Sequence, residues 1–248
     1  MNAIDTAHTV TGFPEEETIL PVSSIDVRVL PGPHPLYVAN EAEIAANWER
    51  EVAANPALFN GKLVFLSALS LDGDRVSARG HLVPYSTHLW WRRQKGRTGG
   101  YHCFCWAVPI SSDGAVIAIR MGPQTANPGL VYCAAGSLEE DDIVGDAVDL
   151  HANMEREVRE ETGLDLAGAV AEPDRFYSIF REETLMSFRF YRFRQTAEEM
   201  LATVREHMRH DPEQEIDDVV AIRDSRADAY RYSRFMPPLL RLVFDEGL

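Results

Sequence analysis

The stretch Met154–Leu164, which reads MEREVREETGL, constrains this chain more than any other. Its composition is typical of the second half of a helix, and Gly163 stands where a left-handed residue would end that helix. Glu157, Glu160 and Glu161 are spaced i, i+3 and i+4. On an ideal helix this spacing gathers the three carboxylates into an arc of roughly 100°.

The helical register places this arc toward the protein core. Glu161 falls roughly 20° from Leu150 and Met154, two apolar residues of the preceding turns. Like charges that are close together and partly desolvated need neutralisation, and oxygen ligands favour Mg²⁺ or Mn²⁺. The alternative is an acidic surface helix in which Arg156 pairs with Glu160 at i, i+4. The three glutamates alone leave both interpretations open.

Composition excludes several classes of protein. The chain has 248 residues, a hydrophobic fraction of 45% and a formal net charge of -15. Such an acidic surface repels nucleic acid, although the basic run 92–97 leaves a role on capped RNA open. Cys103, Cys105 and Cys133 are expected to be buried reduced thiols. The chain lacks a membrane-spanning apolar run and a secretory signal pattern, which predicts a cytoplasmic protein without a membrane partner.

The pattern of the first hundred residues predicts an extended leader over 1–24 and a small α+β extension over 25–100. Strands are expected at 25–30, 63–66 and 76–82, and a helix over 41–54 with Asn40 as its cap. The aromatic and basic stretch 90–97 has two interpretations. It is either a contact for phosphate or base, or a linker whose tryptophans pack between subdomains.

From residue 101 to 248 the pattern predicts a single domain. Short apolar runs at 104–109, 115–120 and 130–133 alternate with turns, and further strands are expected at 176–180, 186–193 and 218–222. Thr196 and Glu199 form the capping-box pattern at the start of a helix that ends near residue 210. A terminal helix follows Pro237 and Pro238. Strands that alternate with few helices predict an α/β fold with a mixed sheet.

The loop and helix together resemble the signature of the Nudix hydrolase superfamily. Its second half, Arg-Glu-apolar-x-Glu-Glu-x-Gly-apolar, is met throughout 156–164, and 135–139 resembles its glycine loop. Two departures stand out. Asp142 occupies the position of the first glutamate of the signature, and six extra residues within 143–150 lengthen the segment before the helix.

The resemblance covers roughly residues 100–225, so the extension 25–100 lies outside it. It implies a Nudix-like α/β/α sandwich with a mixed sheet that hydrolyses a diphosphate linked to a nucleoside. Three further segments, 48–59, 127–131 and 180–184, are similar to the UDP-sugar hydrolase branch of the superfamily.

The resemblance also implies a set of site residues. Catalytic roles fall to Glu157, Glu160, Glu161 and Arg156, and the three glutamates with the carbonyl of Gly136 are the expected ligands of Mg²⁺, or of Mn²⁺. Substrate contacts and the general base are less constrained by the motif. The candidates for substrate binding are Arg120, Arg181 and Trp91, and the candidates for the general base are Glu183 and Glu215, with Glu213 beside the latter.

The leading functional hypothesis is a Mg²⁺-dependent hydrolase of nucleoside diphosphates linked to another moiety, with NDP-sugar or ADP-ribose-like substrates. The same residues support a diphosphatase of CoA or of the nucleotide pool. A hypothesis of a different class is a non-catalytic Nudix-like sensor that binds a nucleotide, which the substitution at Asp142 and the stretched loop favour. The expected partner is a small nucleotide, and a homodimer is left open.

Overall fold

The protein is described by a computed structural model at residues 9–15, 18–171, 175–212 and 214–247. Parts of the predicted leader and the candidate base Glu213 lie outside these ranges. The described residues form five α-helices and two β-sheets. The helices are α1 (Pro35–Ala54), α2 (Tyr85–Trp91), α3 (Leu150–Thr162), α4 (Ala197–Met208) and α5 (Met236–Phe244).

The strands range from two to eleven residues, and the hairpin of β4 and β5 is the longest among the described residues. They are β1 (Thr9–Thr11), β2 (Leu20–Val22), β3 (Ser24–Val29), β4 (Lys62–Asp72), β5 (Arg75–Pro84), β6 (His102–Ile110), β7 (Val116–Met121), β8 (Val131–Tyr132), β9 (Ile143–Val144), β10 (Ala147–Val148), β11 (Val170–Ala171), β12 (Phe176–Arg181), β13 (Thr184–Arg192) and β14 (Ile216–Ile222). Each predicted strand has a counterpart among them.

The first compact unit comprises Met1–Cys105, Ser137–Asn153 and Arg175–Ser187. Its six-stranded sheet has the order β1-β4-β5-β3-β10-β9. The pairs β1–β4 and β3–β5 are parallel, and the pairs β4–β5, β10–β3 and β10–β9 are antiparallel. This sheet is therefore mixed. Strand β2 lies in the predicted leader, where it pairs with β12.

Helices α1 and α2 cover the apolar side chains of this sheet. The cluster joins Phe65, Ile44 and Trp91, all at most 2% exposed, with Leu63, Val83 and Trp90. Helix α1 begins at Pro35, which is earlier than predicted, because the side chain of His34 caps it by accepting from the backbone N–H of Leu36 at 3.1 Å. Asn40 has non-helical backbone angles inside α1, so the predicted start of the helix is instead a kink.

The extra residues before the acidic helix form a β-hairpin, where the sequence predicted only a longer loop. Strands β9 and β10 pair, and Ala147 lies opposite Arg28 of β3. The backbone N–H of Val29 donates to Asp146 O at 2.8 Å, and Arg28 Nη1 contacts Asp146 Oδ1 at 2.7 Å. The insertion thus lengthens the sheet of the first unit.

Asp142 holds the start of this insertion in place. Its carboxylate is 3% exposed and accepts from the backbone N–H of Glu139 and from Asn153 Nδ2, both at 2.8 Å. Asn153 Nδ2 also donates to Ser137 O at 3.1 Å. Asp142 therefore connects the glycine loop to the first turn of α3, which is a structural role for this position.

The second unit comprises Trp106–Gly136, Met154–Asp174 and Phe188–Leu248. Strand β14 pairs antiparallel with the whole of β7, from Ile216 opposite Met121 to Ile222 opposite Val116. Strand β8 pairs antiparallel with Ile119 and Arg120 of β7. Helix α4 contacts β14 and β7. It begins with the predicted capping box, in which Thr196 and Glu199 each accept from the backbone N–H of the other residue. Helix α5 buries Met236, Leu239 and Leu240.

These elements confirm the predicted α/β class with a mixed sheet. The first unit contains residues 137–153 and 175–187 in addition to the N-terminal part of the chain. The predicted domain boundary at residue 100 therefore stays a prediction. All three cysteines are buried as free thiols, as expected. In the described ranges, no helix combines the length and apolarity that a membrane crossing requires.

The buried hydrogen bonds of Asp142 predict a loss of stability on its removal. Asp142→Ala leaves the N–H of Glu139 without its carboxylate acceptor, which we expect to lower the free energy of unfolding by about 1–3 kcal/mol. Chemical denaturation followed by circular dichroism measures this change. Asp141→Ala, on the exposed neighbouring carboxylate, is the matched control, and equal stabilities of the two variants would contradict the role of Asp142.

Candidate functional site

Helix α3 carries the acidic residues and ends as its sequence predicts. Asp149 caps its first turn by accepting from the N–H groups of His151 and Ala152, each at 3.0 Å. Gly163 has φ +68°, the left-handed conformation expected after a helix end, and its N–H donates to Arg159 O at 3.0 Å. His207 of α4 packs there, with Nε2 at 2.7 Å from Glu160 O.

The predicted core-facing direction is confirmed for two of the three carboxylates. Glu157 is 7% exposed and Glu161 is 8% exposed, whereas Glu160 is an exposed residue. The prediction of a shared core-facing sector is therefore wrong for Glu160, because its position on α3 faces outward beside Arg156. Arg156 Nη2 contacts Glu157 Oε1 at 2.8 Å, and its Nη1 contacts Glu160 Oε2 at 3.1 Å.

The loop before α3 approaches the two buried carboxylates through its backbone. The N–H of Ala135 donates to Glu161 Oε2 at 3.0 Å. A Cβ atom at Gly136 would lie 2.2 Å from Glu157 Oε1, so the Glu157 carboxylate rests against the backbone of Gly136. Ala135 acts through its backbone, and side-chain type therefore gave no signal for its contribution in the sequence.

The electrostatics of Glu161 indicate an excess of negative charge. Burial raises the pKa of its carboxyl group well above the ordinary value, and the charges of Glu157, Glu215 and Glu160 raise it further. The N–H of Ala135 opposes this shift only in part. A buried carboxylate with acidic neighbours is stabilised by a cation, which would return its pKa toward the normal range.

The oxygen atoms of this region are of the type that binds a hard divalent cation. Carboxylate and backbone carbonyl oxygens are the ligands that Mg²⁺ and Mn²⁺ prefer. In the part of the chain that the structure describes, no three Asp, Glu, His or Cys side chains already converge closely enough to hold an ion. The contacts of Glu157 and Glu161 with Gly136 and Ala135 therefore place donors close together without forming a complete coordination shell.

The two candidate bases have different surroundings. Glu215 is exposed and close enough to Glu161 to raise its pKa, and its carbonyl accepts from the N–H of Gly122 at 2.7 Å. Glu183 belongs to the first unit, where burial raises the pKa of its carboxyl group. It lies in the two-residue turn between β12 and β13, and both Glu182 and Glu183 have positive φ, at 45° and 59°.

The predicted substrate contacts are only partly available. Arg120 is already paired with Asp217 at 2.9 Å and with Asp218 at 3.4 Å. Trp91 is 1% exposed, packs at 5.1 Å between ring centroids against Phe65, and donates its indole N–H to Arg97 O at 3.0 Å. The fully buried ring of Trp91 offers no face to a base, so we leave it out of the proposed site.

Arg181 lines a cavity of about 280 Å³ in the first unit. The cavity also contacts Phe13 and Phe180, whose ring centroids are 5.4 Å apart, and the carboxylates of Glu15 and Glu182. Arg181 thus stands at an opening that could admit a ligand, and its predicted role in substrate binding stays a prediction.

Comparisons with known proteins give only distant likenesses. No protein-family model matches the chain, and no curated protein matches it in sequence. Among solved structures, it is similar to DR0079 from Deinococcus radiodurans, with TM-score 0.42 and 15% identity over 58% of this chain and 83% of that chain. A C. elegans Ap4A hydrolase in a binary complex gives TM-score 0.40 and 13% identity over 56% and 92% of the two chains.

A Nudix hydrolase from M. smegmatis, RenU, gives TM-score 0.39 and 9% identity, over 57% of this chain and 81% of that chain. TM-scores below 0.5 at identities below 25% do not establish a shared function. The residues of the site therefore carry the functional argument.

The raised pKa of Glu161 predicts how stability depends on pH. A carboxyl group whose pKa rises on folding favours the folded state below its ordinary pKa of 4.5, and this contribution is lost as the pH rises through the folded value. In EDTA, we expect Glu161→Gln to be more stable than the natural chain near pH 8, with the difference shrinking toward pH 4.5. Chemical denaturation across this range measures it.

Glu155→Gln is the control for this experiment, because Glu155 lies on the same helix and is not among the charges that raise the pKa of Glu161. It should keep the pH dependence of the natural chain. A Glu161→Gln variant with unchanged pH dependence would show that Glu161 is not buried as described.

The contact between Gly136 and Glu157 predicts a specific effect of Gly136→Ala. The new methyl group pushes the end of a flexible side chain rather than backbone, so the fold should be retained while the Glu157 carboxylate is displaced. We expect Mn²⁺ binding, measured by isothermal titration calorimetry, to weaken about 10-fold or more. Gly168→Ala, where nothing lies within 4 Å, is the control, and equal Mn²⁺ affinities would contradict the prediction.

Proposed function

We propose that this chain is a Nudix-type hydrolase with an α/β/α sandwich. It cleaves the diphosphate of a nucleoside diphosphate linked to another moiety, and NDP-sugars and ADP-ribose-like compounds are the first substrates to test. One observation carries the proposal above all: Glu157 rests on Gly136 while Glu161 is buried against the N–H of Ala135. The glycine loop and the acidic helix are thus in contact, as an ion-binding diphosphatase site requires.

In this proposal Glu157, Glu160 and Glu161, with the carbonyl of Gly136, hold Mg²⁺ or Mn²⁺. When bound, such an ion neutralises diphosphate charge and makes water a stronger acid. Glu157 and Glu161 are oriented before any ligand arrives, because the backbone of the glycine loop contacts both. Glu160 is exposed, and its carboxylate pairs with Arg156 at 3.1 Å.

Arg156 acts as a positioning residue for the carboxylates. Its guanidinium bridges Glu157 and Glu160, so it keeps two negative charges close that would otherwise repel each other. Glu215 is the general base in this proposal, since it is exposed and its charge raises the pKa of Glu161. It accepts a proton from the attacking water, and Glu183 is the alternative.

Positive charge for the substrate phosphates comes from arginines in this proposal. Arg120 contributes by exchanging its bonds to Asp217 and Asp218 for bonds to phosphate, which such a surface pair permits at small cost. Arg181, which lines a cavity of the first unit, is the other arginine predicted to bind phosphate. A cytoplasmic location and a homodimer remain predictions that fractionation and sedimentation analysis would check.

The proposal predicts that Glu160→Gln and Glu161→Gln are folded but nearly inactive. Changes in the second shell of a metal site already cost 10–100-fold, so loss of a ligand should lower kcat by at least about 100-fold. Phosphate-bearing products are measured by chromatography in a screen of NDP-sugars, ADP-ribose, dinucleoside polyphosphates and CoA with Mg²⁺ and Mn²⁺. Glu155→Gln makes the same charge change on the same helix and should retain activity.

The outcomes of this screen separate the hypotheses. Metal-dependent turnover that persists in both glutamine variants would refute the proposed site. Turnover of CoA rather than NDP-sugars would identify the other diphosphatase. Nucleotide binding by calorimetry without product at any Mg²⁺ concentration would identify a non-catalytic sensor.

A further inference from the structure

The segment between β14 and α5 concentrates aromatic and basic side chains in an otherwise acidic chain. It contains four arginines and two tyrosines within residues 223–235, whereas the net charge of the whole chain is -15. The segment is irregular and belongs to the second unit, as do Glu157, Glu160 and Glu161. The roles proposed above use none of its residues.

This segment is fixed to the chain that leads into the glycine loop. The N–H of Val131 donates to Arg231 O at 2.9 Å, and the N–H of Ser233 donates to Val131 O at 3.0 Å. Arg231 Nη1 donates to Pro128 O at 3.2 Å. Tyr232 therefore lies beside β8 as a single-residue parallel bridge.

Two tyrosines of the segment form a surface that suits a planar ligand. Tyr230 is 38% exposed, and its ring meets that of Tyr232 at 5.7 Å between centroids and 72° between planes. The edge-to-face contact restricts the exposed ring, which lowers the entropy lost on stacking. The hydroxyl oxygen of Tyr232 is buried and has no hydrogen-bond partner among the described residues, so a bound polar group could satisfy it.

A guanidinium stands beside these rings. Arg226 Nε contacts both carboxylate oxygens of Asp224, at 3.0 and 3.1 Å, and the arginine side chain remains 73% exposed. Arg226 and Asp224 both act electrostatically on the Tyr232 hydroxyl, which places them at the same surface. Asp224 holds the guanidinium through Nε, and an exposed guanidinium is a group that binds phosphate.

The length of chain limits how far this surface lies from the carboxylates. Val131, which is bonded to the segment, is five residues before Gly136, which contacts Glu157. Five extended residues span at most about 18 Å. The part of the segment that is bonded to Val131 therefore lies within about 18 Å of Gly136, which contacts Glu157.

We propose that Tyr230, Tyr232 and Arg226 form the nucleotide-recognition surface of this protein. The base stacks on the exposed face of Tyr230, and Arg226 attracts a phosphate of the same nucleotide. This inference rests on the proposed function, since it assigns the binding of the base to a segment outside the acidic motif. Stacking accepts any base, so the surface fits purine and pyrimidine nucleotides alike.

Steady-state kinetics test the role of the ring. Tyr230→Ala should raise KM for the preferred nucleotide substrate about 10-fold or more and leave kcat nearly unchanged, because stacking contributes equally to substrate and transition state. Tyr230→Phe keeps the ring and should keep KM. Phe59→Ala, which removes an aromatic ring that is 84% exposed elsewhere, is the matched control and should keep both constants.

A binding experiment without turnover separates this inference from the proposed function. AMP and UMP are titrated by calorimetry in EDTA into the natural chain, Glu161→Gln and Tyr230→Ala. The first two should bind alike, and Tyr230→Ala should bind about 10-fold more weakly or worse. Unchanged nucleotide binding and KM in Tyr230→Ala would overturn the surface while leaving the hydrolase intact. If the natural chain hydrolyses no substrate but binds AMP or UMP, and Tyr230→Ala loses that binding, the hydrolase proposal is refuted and the nucleotide-recognition surface is supported.

Discussion

Contact between a glycine-containing loop and two buried carboxylates is the interaction on which the site depends. Glu161 accepts a hydrogen bond from the backbone N–H of Ala135, and the Glu157 carboxylate packs against the backbone of Gly136, where a side chain would collide with it. Both contacts bring the backbone of the loop close to a carboxylate. At residue 136 the approach is so close that the position requires glycine. The cost of burying these charges is met only in part by Arg156 and Ala135, and the remaining imbalance is what makes a cation binder the reasonable interpretation of α3.

Local patterns in the sequence were sufficient for the end of α3, the start of α4 and the burial of Glu157 and Glu161, but not for the start of α1 or for α2. The end of α3 at Gly163 and the capping box of α4 at Thr196 each depend on a few neighbouring residues, so they could be recognised without knowledge of the fold. The placement of Glu157 and Glu161 followed from helical periodicity alone. The exposure of Glu160 did not, because it depends on which tertiary elements cover each side of the helix.

Features that depend on distant residues could not be predicted in the same way. The hairpin β9–β10 pairs with β3, and its Asp146 contacts Arg28, which is more than a hundred positions away. The burial of Trp91 results from its packing on Phe65, and the engagement of Arg120 results from a neighbouring strand. For Trp91 and Arg120, residue type suggested a ligand contact, whereas partners supplied by tertiary structure already occupied the side chain.

The hairpin inserted before α3 also has a consequence for the solubility of the chain. Without it, β3 would be the last strand of its sheet and would present a row of unpaired backbone groups to other molecules. Strand β10 covers the end of that row at Arg28 and Val29, and the new border, β9, has two residues. A border this short is a poor template for pairing with another chain. The insertion therefore shortens the part of β3 that is open to such pairing.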